Sequence, residues 1–377
     1  MSICLAITTE TSEGENRVAI VPAIAEKFSR AGVQVVLEKG AGVSSFYPDS
    51  DFDDIEFSDT AAEACATAQI LLKVAPPSVE EVALMPEGCI LICYMHPHGN
   101  DEVIKALRDR NITALSMELV PRISRAQSMD SLSSQAAIAG YKAALMAADL
   151  SARFFPMLTT AAGTIRPSRV FVIGAGVAGL QAIATAKRLG AVVEAYDVRS
   201  VTKEQVESLG GKFLEIGVDA SSEGGYAREL TESEKHKERE MMGNTVAAAH
   251  AVICTAHVPG RPAPRLIDTA VVERMLPGSV VIDLAAESGG NCELTQPGKT
   301  IVHNGVTIHG PLHVPGMLAV HASEMYSRNL YNLVQLLISD GELKPDWDDE
   351  ILAGCTVTRD GEIKHGPTRE RLQGASS

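Results

Sequence analysis

Short apolar runs alternate with amphipathic stretches along the chain, and that alternation predicts an α/β fold built on parallel sheets. Ile3 to Ile7, Val33 to Leu37, Ile70 to Val74, Cys89 to Cys93 and Thr113 to Ser116 read as strands. Pro22 suits the first position of a helix that Gly32 ends, and a further helix is expected near Glu102 to Arg108. The first 120 residues therefore read as one doubly wound domain with no glycine fingerprint at its first turn. A second α/β series begins at Arg169 to Ile173, continues through a helix from Leu180 to Leu189 that Gly190 closes, and reaches the strand Ala191 to Tyr196. Ala251 to Cys254 and Val280 to Leu284 add further strands.

Two longer helical patterns remain. One follows Ser133 or Ser134, either of which can cap it, and carries Ile138, Tyr141 and Leu145 on one face. The other places Ala322, Met325, Tyr326, Leu330, Leu333, Val334 and Leu337 on one stripe, with Gly341 as the expected stop. The expected architecture is α/β, two doubly wound Rossmann-like domains joined by these two long helices, with a cleft between them. Residues 1–120 plus 335–377 would form the first domain, and residues 121–334 the nucleotide domain with its bridging helices.

The stretch around which the chain is organised is Gly174-Ala175-Gly176-Val177-Ala178-Gly179, placed directly after a strand and before a helix. Gly174 permits the tight turn, Gly176 lets the backbone approach a pyrophosphate, and Gly179 allows the helix to pack close to the strand. The pyrophosphate would sit on the helix N-terminus, contacted through Val177 and Ala178, where unpaired N–H groups and the dipole favour an anion. Asp197 closes the next strand 18 residues past Gly179. An acidic residue there accepts hydrogen bonds from the adenosine ribose and repels a 2′-phosphate, so the pattern favours NAD(H) over NADP(H).

Composition narrows the partners. A net charge of −15 argues against nucleic acid and anionic membrane. The seven cysteines are scattered without C-x-x-C spacing, so neither a disulfide framework nor a metal site is indicated, and a reducing cytoplasm is expected. No apolar stretch approaches the ~18 residues that a membrane span needs, and no signal peptide is visible. Residues 219 to 245 differ from the rest: Gly224-Gly225-Tyr226 precedes a densely charged run. That run reads either as a solvated surface helix with a flexible lead-in, or as a mobile flap whose Tyr226 closes over the nucleotide.

Several segments together resemble the NAD(H)-binding component of proton-translocating nicotinamide nucleotide transhydrogenase. They are Arg122-Ile-Ser-Arg-Ala-Gln127-Ser-Met-Asp130, Gly174 to Gly190, Thr202 to Phe213, Gly224-Gly-Tyr226 and Gly289-Gly-Asn-Cys292. The likeness covers nearly the whole chain and is strongest from 121 to 320. The stop soon after Thr356 to Gly361 resembles the bacterial form in which this component is a separate subunit.

The resemblance implies hydride transfer from NADH to NADP⁺, with NADP(H) held by a domain of another subunit and transfer coupled to proton movement through membrane subunits. It implies a homodimer, cytoplasmic and peripheral to the inner membrane through its partners. It also implies positioning roles rather than acid, base or nucleophile: Arg122 and Asp130 on the carboxamide, Gln127 toward the second nucleotide, and Ser133 beside them. The pyrophosphate and ribose contacts fall on Gly174 to Gly179 and on Asp197, Val198 and Arg199, and the flap contacts on Gly225 and Tyr226. Thr255, Ala256 and His257 are candidates for a cleft wall. Read without the resemblance, Arg122 and Asp130 are equally an ordinary ion pair at a linker, Gln127 a solvated side chain and Ser133 a helix cap.

Alanine dehydrogenase shares the expected fold, and its substrate chemistry needs cations for a carboxylate and a group that handles a proton. Arg17, Lys73 and His96 are matching candidates. Glu287, where alanine dehydrogenases usually carry aspartate, together with the 122–130 segment and the Gly224-Gly225-Tyr226 stretch, favours the transhydrogenase pattern. A third alternative is a non-catalytic NAD(H)-sensing module.

Overall fold

A computed structural model describes residues 3–217, 231–257 and 261–374. The strands are β1 (Cys4–Ile7), β2 (Gln34–Glu38), β3 (Glu56–Ser58), β4 (Ile70–Leu72), β5 (Ile90–Cys93), β6 (Thr113–Ser116), a hairpin of β7 (Leu158–Thr160) and β8 (Gly163–Ile165), then β9 (Arg169–Ile173) and β10 (Val192–Tyr196). They continue with β11 (Lys212–Phe213), β12 (Ala251–Cys254), β13 (Val280–Asp283), β14 (Thr300–His303), β15 (Val306–His309), a small hairpin of β16 (Ile338–Ser339) and β17 (Glu342–Leu343), and finally β18 (Thr356–Arg359) and β19 (Glu362–Ile363).

Two sheets carry the fold. The first runs β19-β18-β6-β5-β4-β1-β2-β3, the second β11-β10-β9-β12-β13-β15-β14. Strands β1 to β6 pair in parallel, as do β9 to β13 and β15, while β18, β19 and β14 enter antiparallel at the edges. Both sheets thus reverse direction beside their first strand, at β1/β4 and at β9/β12, the switch points where open α/β sheets place ligands. The sequence pattern is consistent with this because each central strand is buried on both faces. Along β1, Ile3, Leu5 and Ile7 join one core and Cys4 and Ala6 the other. Along β9, Val170 and Val172 face one core and Phe171 and Ile173 the opposite one.

The helices used below are α1 (Pro22–Arg30), α2 (Ser131–Leu150), α3 (Val177–Arg188) and α4 (Ala319–Val334). Proline occupies the start of α1, as expected. The cap of α2 differs from expectation: Asp130, not Ser133 or Ser134, accepts the Ser133 N–H at 2.9 Å. Its carboxylate also takes the Ser133 hydroxyl at 2.6 Å, so the serine lies inside the first turn. The buried face of α2 agrees with expectation at Ile138, which is buried, but differs beyond it. Ala143, Ala144 and Ala147 are fully buried whereas Tyr141 is exposed. The reason is a backbone-to-backbone approach, since a Cβ on Gly140 would lie 2.0 Å from the Ala178 carbonyl oxygen.

Helix α4 ends at Val334, well before Gly341, which instead adopts φ +75° in the turn between β16 and β17. Its inward face includes Ser323 and Ser327, which accept the Val18 and Val21 N–H groups at 3.0 and 3.2 Å.

The chain divides into two compact units, Met1–Gln135 with Gly316–Ser377, and Ala136–Pro315. The divisions fall near 135 and 316 rather than at 120 and 335 because Ala126 and Met129, and Tyr326, Leu330, Leu333 and Val334 of α4, all bury themselves in the core of the first sheet. The chain therefore passes between units within α2 and again ahead of α4. Among the described residues no helix is long and apolar enough to cross a membrane.

Candidate functional site

In the second unit β9 delivers the chain into Gly174, whose φ of +91° only glycine adopts without strain. A Cβ there would also meet the Thr255 hydroxyl at 2.6 Å. Gly179 packs more tightly still: a Cβ would lie 1.9 Å from the Gly174 carbonyl oxygen and 3.1 Å from the Thr255 hydroxyl. Gly176, the N-cap of α3, is the opposite case, because a Cβ there would meet nothing nearer than the Arg199 guanidinium at 4.0 Å. Two of the glycines are thus required by the protein's own packing, while the third borders open space. An anion could approach that space at the start of α3, alongside Val177 and Ala178.

Asp197, at the end of β10, is buried, and its carboxylate ties this turn to the following loop. It accepts the Ala175 N–H at 2.7 Å and the Arg199 N–H at 2.9 Å. The Arg199 guanidinium grips it with Nε at 2.8 Å and Nη2 at 2.7 Å. Asp197 therefore stands beside the glycine turn with its carboxylate already engaged by Ala175 and Arg199. A cavity of about 350 Å³ opens next to them, lined by Tyr196, Asp197, Ser200, Lys203, Phe213 and Glu215 among others. Lys203 falls within the Thr202 to Phe213 segment that carries the family resemblance, but neither periodicity nor spacing marks it or Glu215 as a cavity residue.

Past β12, the Thr255 N–H reaches the Ile173 carbonyl at 2.8 Å, and its hydroxyl lies 3.0 Å from the Gly174 carbonyl. Ala256 is held on both sides by one amide: Asn291 accepts its N–H at 3.1 Å and donates to its carbonyl at 2.9 Å. His257 shares a hydrogen bond with Ser288 at 3.0 Å. Desolvation of the ring lowers the His257 pKa, with Glu287 pulling the other way. Asp283, fully buried at the end of β13, accepts the Cys292 N–H at 2.9 Å and the Thr295 hydroxyl at 2.6 Å. Burial raises its pKa against those donors. Asn291 and Asp283 thus shape the loops at the strand ends. Their partners lie up to 35 residues away, so local patterning gives no sign of them. The Gly225 and Tyr226 positions fall outside the described residues. The charged run beyond them forms a helix, Glu232–Ala248, started by a capping box between Thr231 and Glu234.

Arg122, Gln127, Asp130 and Ser133 belong to the first unit. Ala126 and Met129 anchor the 124–129 turn in the core while Arg122 and Gln127 stay exposed. Asn329 and Asn332 of α4 both donate to the Ser128 carbonyl, at 2.9 and 3.0 Å. Arg125 pairs with Asp349 at 2.7 Å, which lowers the Asp349 pKa. The segment is therefore fixed in place with its longest polar side chains turned outward, while Asp130 and Ser133 are joined by the cap.

Arg17, Lys73 and His96 also lie in the first unit. Glu15 holds the Arg17 guanidinium through two contacts, at 2.8 and 2.6 Å, and Gln135 accepts a third at 3.0 Å. Lys73 is 1% exposed, with Nζ 2.9 Å from Glu81 and 3.6 Å from Glu10. Burial disfavours its charge, but the two carboxylates outweigh this and its pKa is raised. His96 takes φ +45°, and its exposed ring stacks on Tyr94 with centroids 6.2 Å apart. Both cations are thus answered by internal carboxylates. No cluster of acidic, histidine or cysteine side chains suited to a metal ion occurs among the described residues.

Comparison with known proteins follows the same division of the chain. Family models for the N-terminal and C-terminal domains of alanine dehydrogenase/PNT match residues 6–139 and 143–366. A relative from Rhodospirillum rubrum, the first part of an NAD(P) transhydrogenase alpha subunit, is 47% identical over 374 residues, spanning 96% of this chain and 97% of its own. The crystal structure of a transhydrogenase from Sinorhizobium meliloti matches with a TM-score of 0.85 at 41% identity, covering 97% and 99% of the two chains. Similarity to the alanine dehydrogenase of Methanococcus maripaludis is lower, 29% over 329 residues, covering 84% of this chain and 82% of that one.

Proposed function

The chain belongs to the alanine dehydrogenase/PNT family, and from that premise we propose that it is the NAD(H)-binding component of a proton-translocating transhydrogenase. The observation that carries the cofactor assignment is the contrast among the three glycines: Gly174 and Gly179 are filled by the protein, and Gly176 borders open space at a helix N-terminus. Asp197 beside it suits an unphosphorylated ribose. When bound, the nicotinamide supplies or accepts a hydride at its C4 atom.

The residues of this chain then bind, orient and exclude water. Gly174, Gly176, Val177, Ala178 and Gly179 receive the pyrophosphate. Asp197, Val198 and Arg199 face the adenosine ribose, and Thr255, Ala256 and His257 form the wall past β12. Arg122, Gln127, Asp130 and Ser133 position the nicotinamide against a second nucleotide on the partner. Direct hydride transfer needs no proton donor or nucleophile from the protein, only near-attack positioning. Proton translocation and membrane attachment belong to partner subunits, with this chain on the cytoplasmic side. NADP(H) is held by the partner domain.

The test is hydride exchange by the purified chain with and without a transhydrogenase NADP(H)-binding domain, alongside NAD⁺ reduction with L-alanine. Exchange between NADH and NADP⁺ only in the presence of that domain is expected. Strong alanine-dependent NADH formation by the chain alone would replace this reading with that of an alanine dehydrogenase acting through Arg17, Lys73 and His96. Nucleotide binding without transfer under either condition would leave a sensing module.

A homodimer forms part of the same reading, and the β7–β8 hairpin is where its contact is expected. Every residue of both strands is exposed, and the cross-strand pair Leu158 and Ile165 is accompanied by exposed Phe154 and Met157. A two-stranded hairpin with open edges and an uncovered apolar face is marginal by itself, and pairing with a second copy stabilises it. Leu158→Glu with Ile165→Glu is expected to convert a dimer to a monomer in light scattering. Unchanged mass in the variant would place the contact elsewhere.

A further inference from the structure

The segment after β10, a short 3-10 turn that leads into a helix starting at Lys203, carries Arg199, Ser200 and Lys203 within five residues, and Ser200 and Lys203 line the cavity beside Asp197. Two cations and a hydroxyl are the donors that a 2′-phosphate on adenosine would use. Each cation nevertheless has a carboxylate partner. Asp197 grips Arg199. Glu215, arriving two residues past β11 on another wall of the same cavity, forms a close ion pair with Lys203. Asp197 is the residue that the dinucleotide fingerprint leads one to expect; Glu215 is not part of that fingerprint.

We propose that Glu215 is a second specificity-determining residue: by engaging Lys203 and adding its own charge to the cavity wall, it keeps a latent 2′-phosphate site closed and so helps reserve this unit for NAD(H). The inference rests on the assignment of NAD(H) to this chain. It follows from charge placement. A 2′-phosphate adds about −1.5 to −2 charges at neutral pH, and the cavity wall offers it two carboxylates with both cations already committed. The Lys203–Glu215 pair is partly exposed, with side chains 44% and 64% accessible, so its grip is modest and screened by salt. Each partner nonetheless stabilises the other's charge: the pair holds Lys203 above its usual pKa and Glu215 below. Removing Glu215 both releases the ammonium and deletes a repulsive charge.

The experiment measures binding of 5′-AMP and of adenosine 2′,5′-bisphosphate to the full chain by calorimetry, together with NADH and NADPH by fluorescence. Wild type is expected to prefer the ligands lacking the 2′-phosphate. Glu215→Gln should shift the ratio of bisphosphate to 5′-AMP affinity by about tenfold toward the bisphosphate at low salt, and by less at high salt. Lys203→Met in the Glu215→Gln background should return the ratio to that of wild type. A ratio that moves less than about twofold in Glu215→Gln, or a gain that survives loss of Lys203, overturns the proposal. If wild type binds neither NADH nor 5′-AMP, or prefers the 2′-phosphorylated ligands, it is the NAD(H) assignment that fails, and the two failures are told apart by the wild-type titrations alone.

Discussion

Gly179→Ala is expected to break the nucleotide turn and weaken NADH binding severely, while Gly176→Ala leaves the fold intact and weakens binding alone. The added methyl at 179 would sit 1.9 Å from the Gly174 carbonyl oxygen, a backbone atom that cannot rotate away. Either α3 withdraws from β9 or the turn deforms, at a cost of about 1–3 kcal/mol or more. The higher helix propensity of alanine returns only about 1 kcal/mol. NADH affinity should fall by about a hundredfold, because the helix N-terminus that receives the pyrophosphate moves with α3. At 176 the methyl meets only the Arg199 guanidinium, 4.0 Å away. Its effect is confined to the space an anion would enter, so a loss of about tenfold or more with an unchanged melting temperature is expected. Urea denaturation and NADH fluorescence titration on both variants decide this. A Gly179→Ala protein as stable as wild type, or a Gly176→Ala protein with full affinity, would contradict the reading of the turn.

The largest stability loss is expected from Lys73→Met in the first unit. Lys73 lies against Glu81 and Glu10, and Glu10 is bound to the Val74 and Ala75 N–H groups at 2.6 and 3.2 Å. Removing the ammonium leaves buried negative charge uncompensated, which costs about 3–5 kcal/mol. The deficit should depend on pH with a definite sign. Burial already raises the Glu10 pKa above its ordinary 4.5, with Lys73 the chief influence opposing it. Without Lys73 the rise is larger, so the folded variant binds a proton that the unfolded chain does not. A group with a raised folded pKa contributes more stability as pH falls through that value. The gap between variant and wild type should therefore narrow from about pH 8 toward about pH 5.5 in urea unfolding. Glu10→Gln in the same background should recover part of the loss at the higher pH. A pH-independent deficit, or one below about 1 kcal/mol, would mean that the carboxylates are not desolvated as the burial of Lys73 indicates.

Much of the second unit can be read from the chain because its signals are local. The run Arg169 to Ile173, the glycine triplet, the helix closed by Gly190 and the acidic end of the next strand lie within 29 residues, and each step constrains the next through backbone geometry. The same locality explains the errors. Serine at 133 or 134 looks like the cap of α2 because hydroxyls cap helices, but Asp130 three residues before Ser133 reaches the same N–H with a stronger acceptor. The face of α2 is misread in part because large apolar residues mark one stripe, whereas burial beyond Ile138 follows the small ones: Gly140, Ala143, Ala144 and Ala147 permit an approach that larger side chains would block.

Other roles are set by distant partners that local patterning does not reveal. Ser323 and Ser327 look like neutral positions on an amphipathic helix, yet they receive N–H groups from residues about 300 positions earlier. Asn291 stands in a recognisable motif, but its role emerges only where its amide holds Ala256 from both sides.

By itself, then, the sequence determined the α/β class, the dinucleotide turn and the family resemblance, because strand burial, glycine conformation and helix polarity are properties of neighbouring residues. The tertiary structure decided where the units divide, which serines and amides hold the loops, and how Asp197, Arg199, Lys203 and Glu215 pair around one cavity. Those outcomes depend on which distant groups are brought within hydrogen-bonding or ionic distance, and on the cost of leaving any of them buried without a partner.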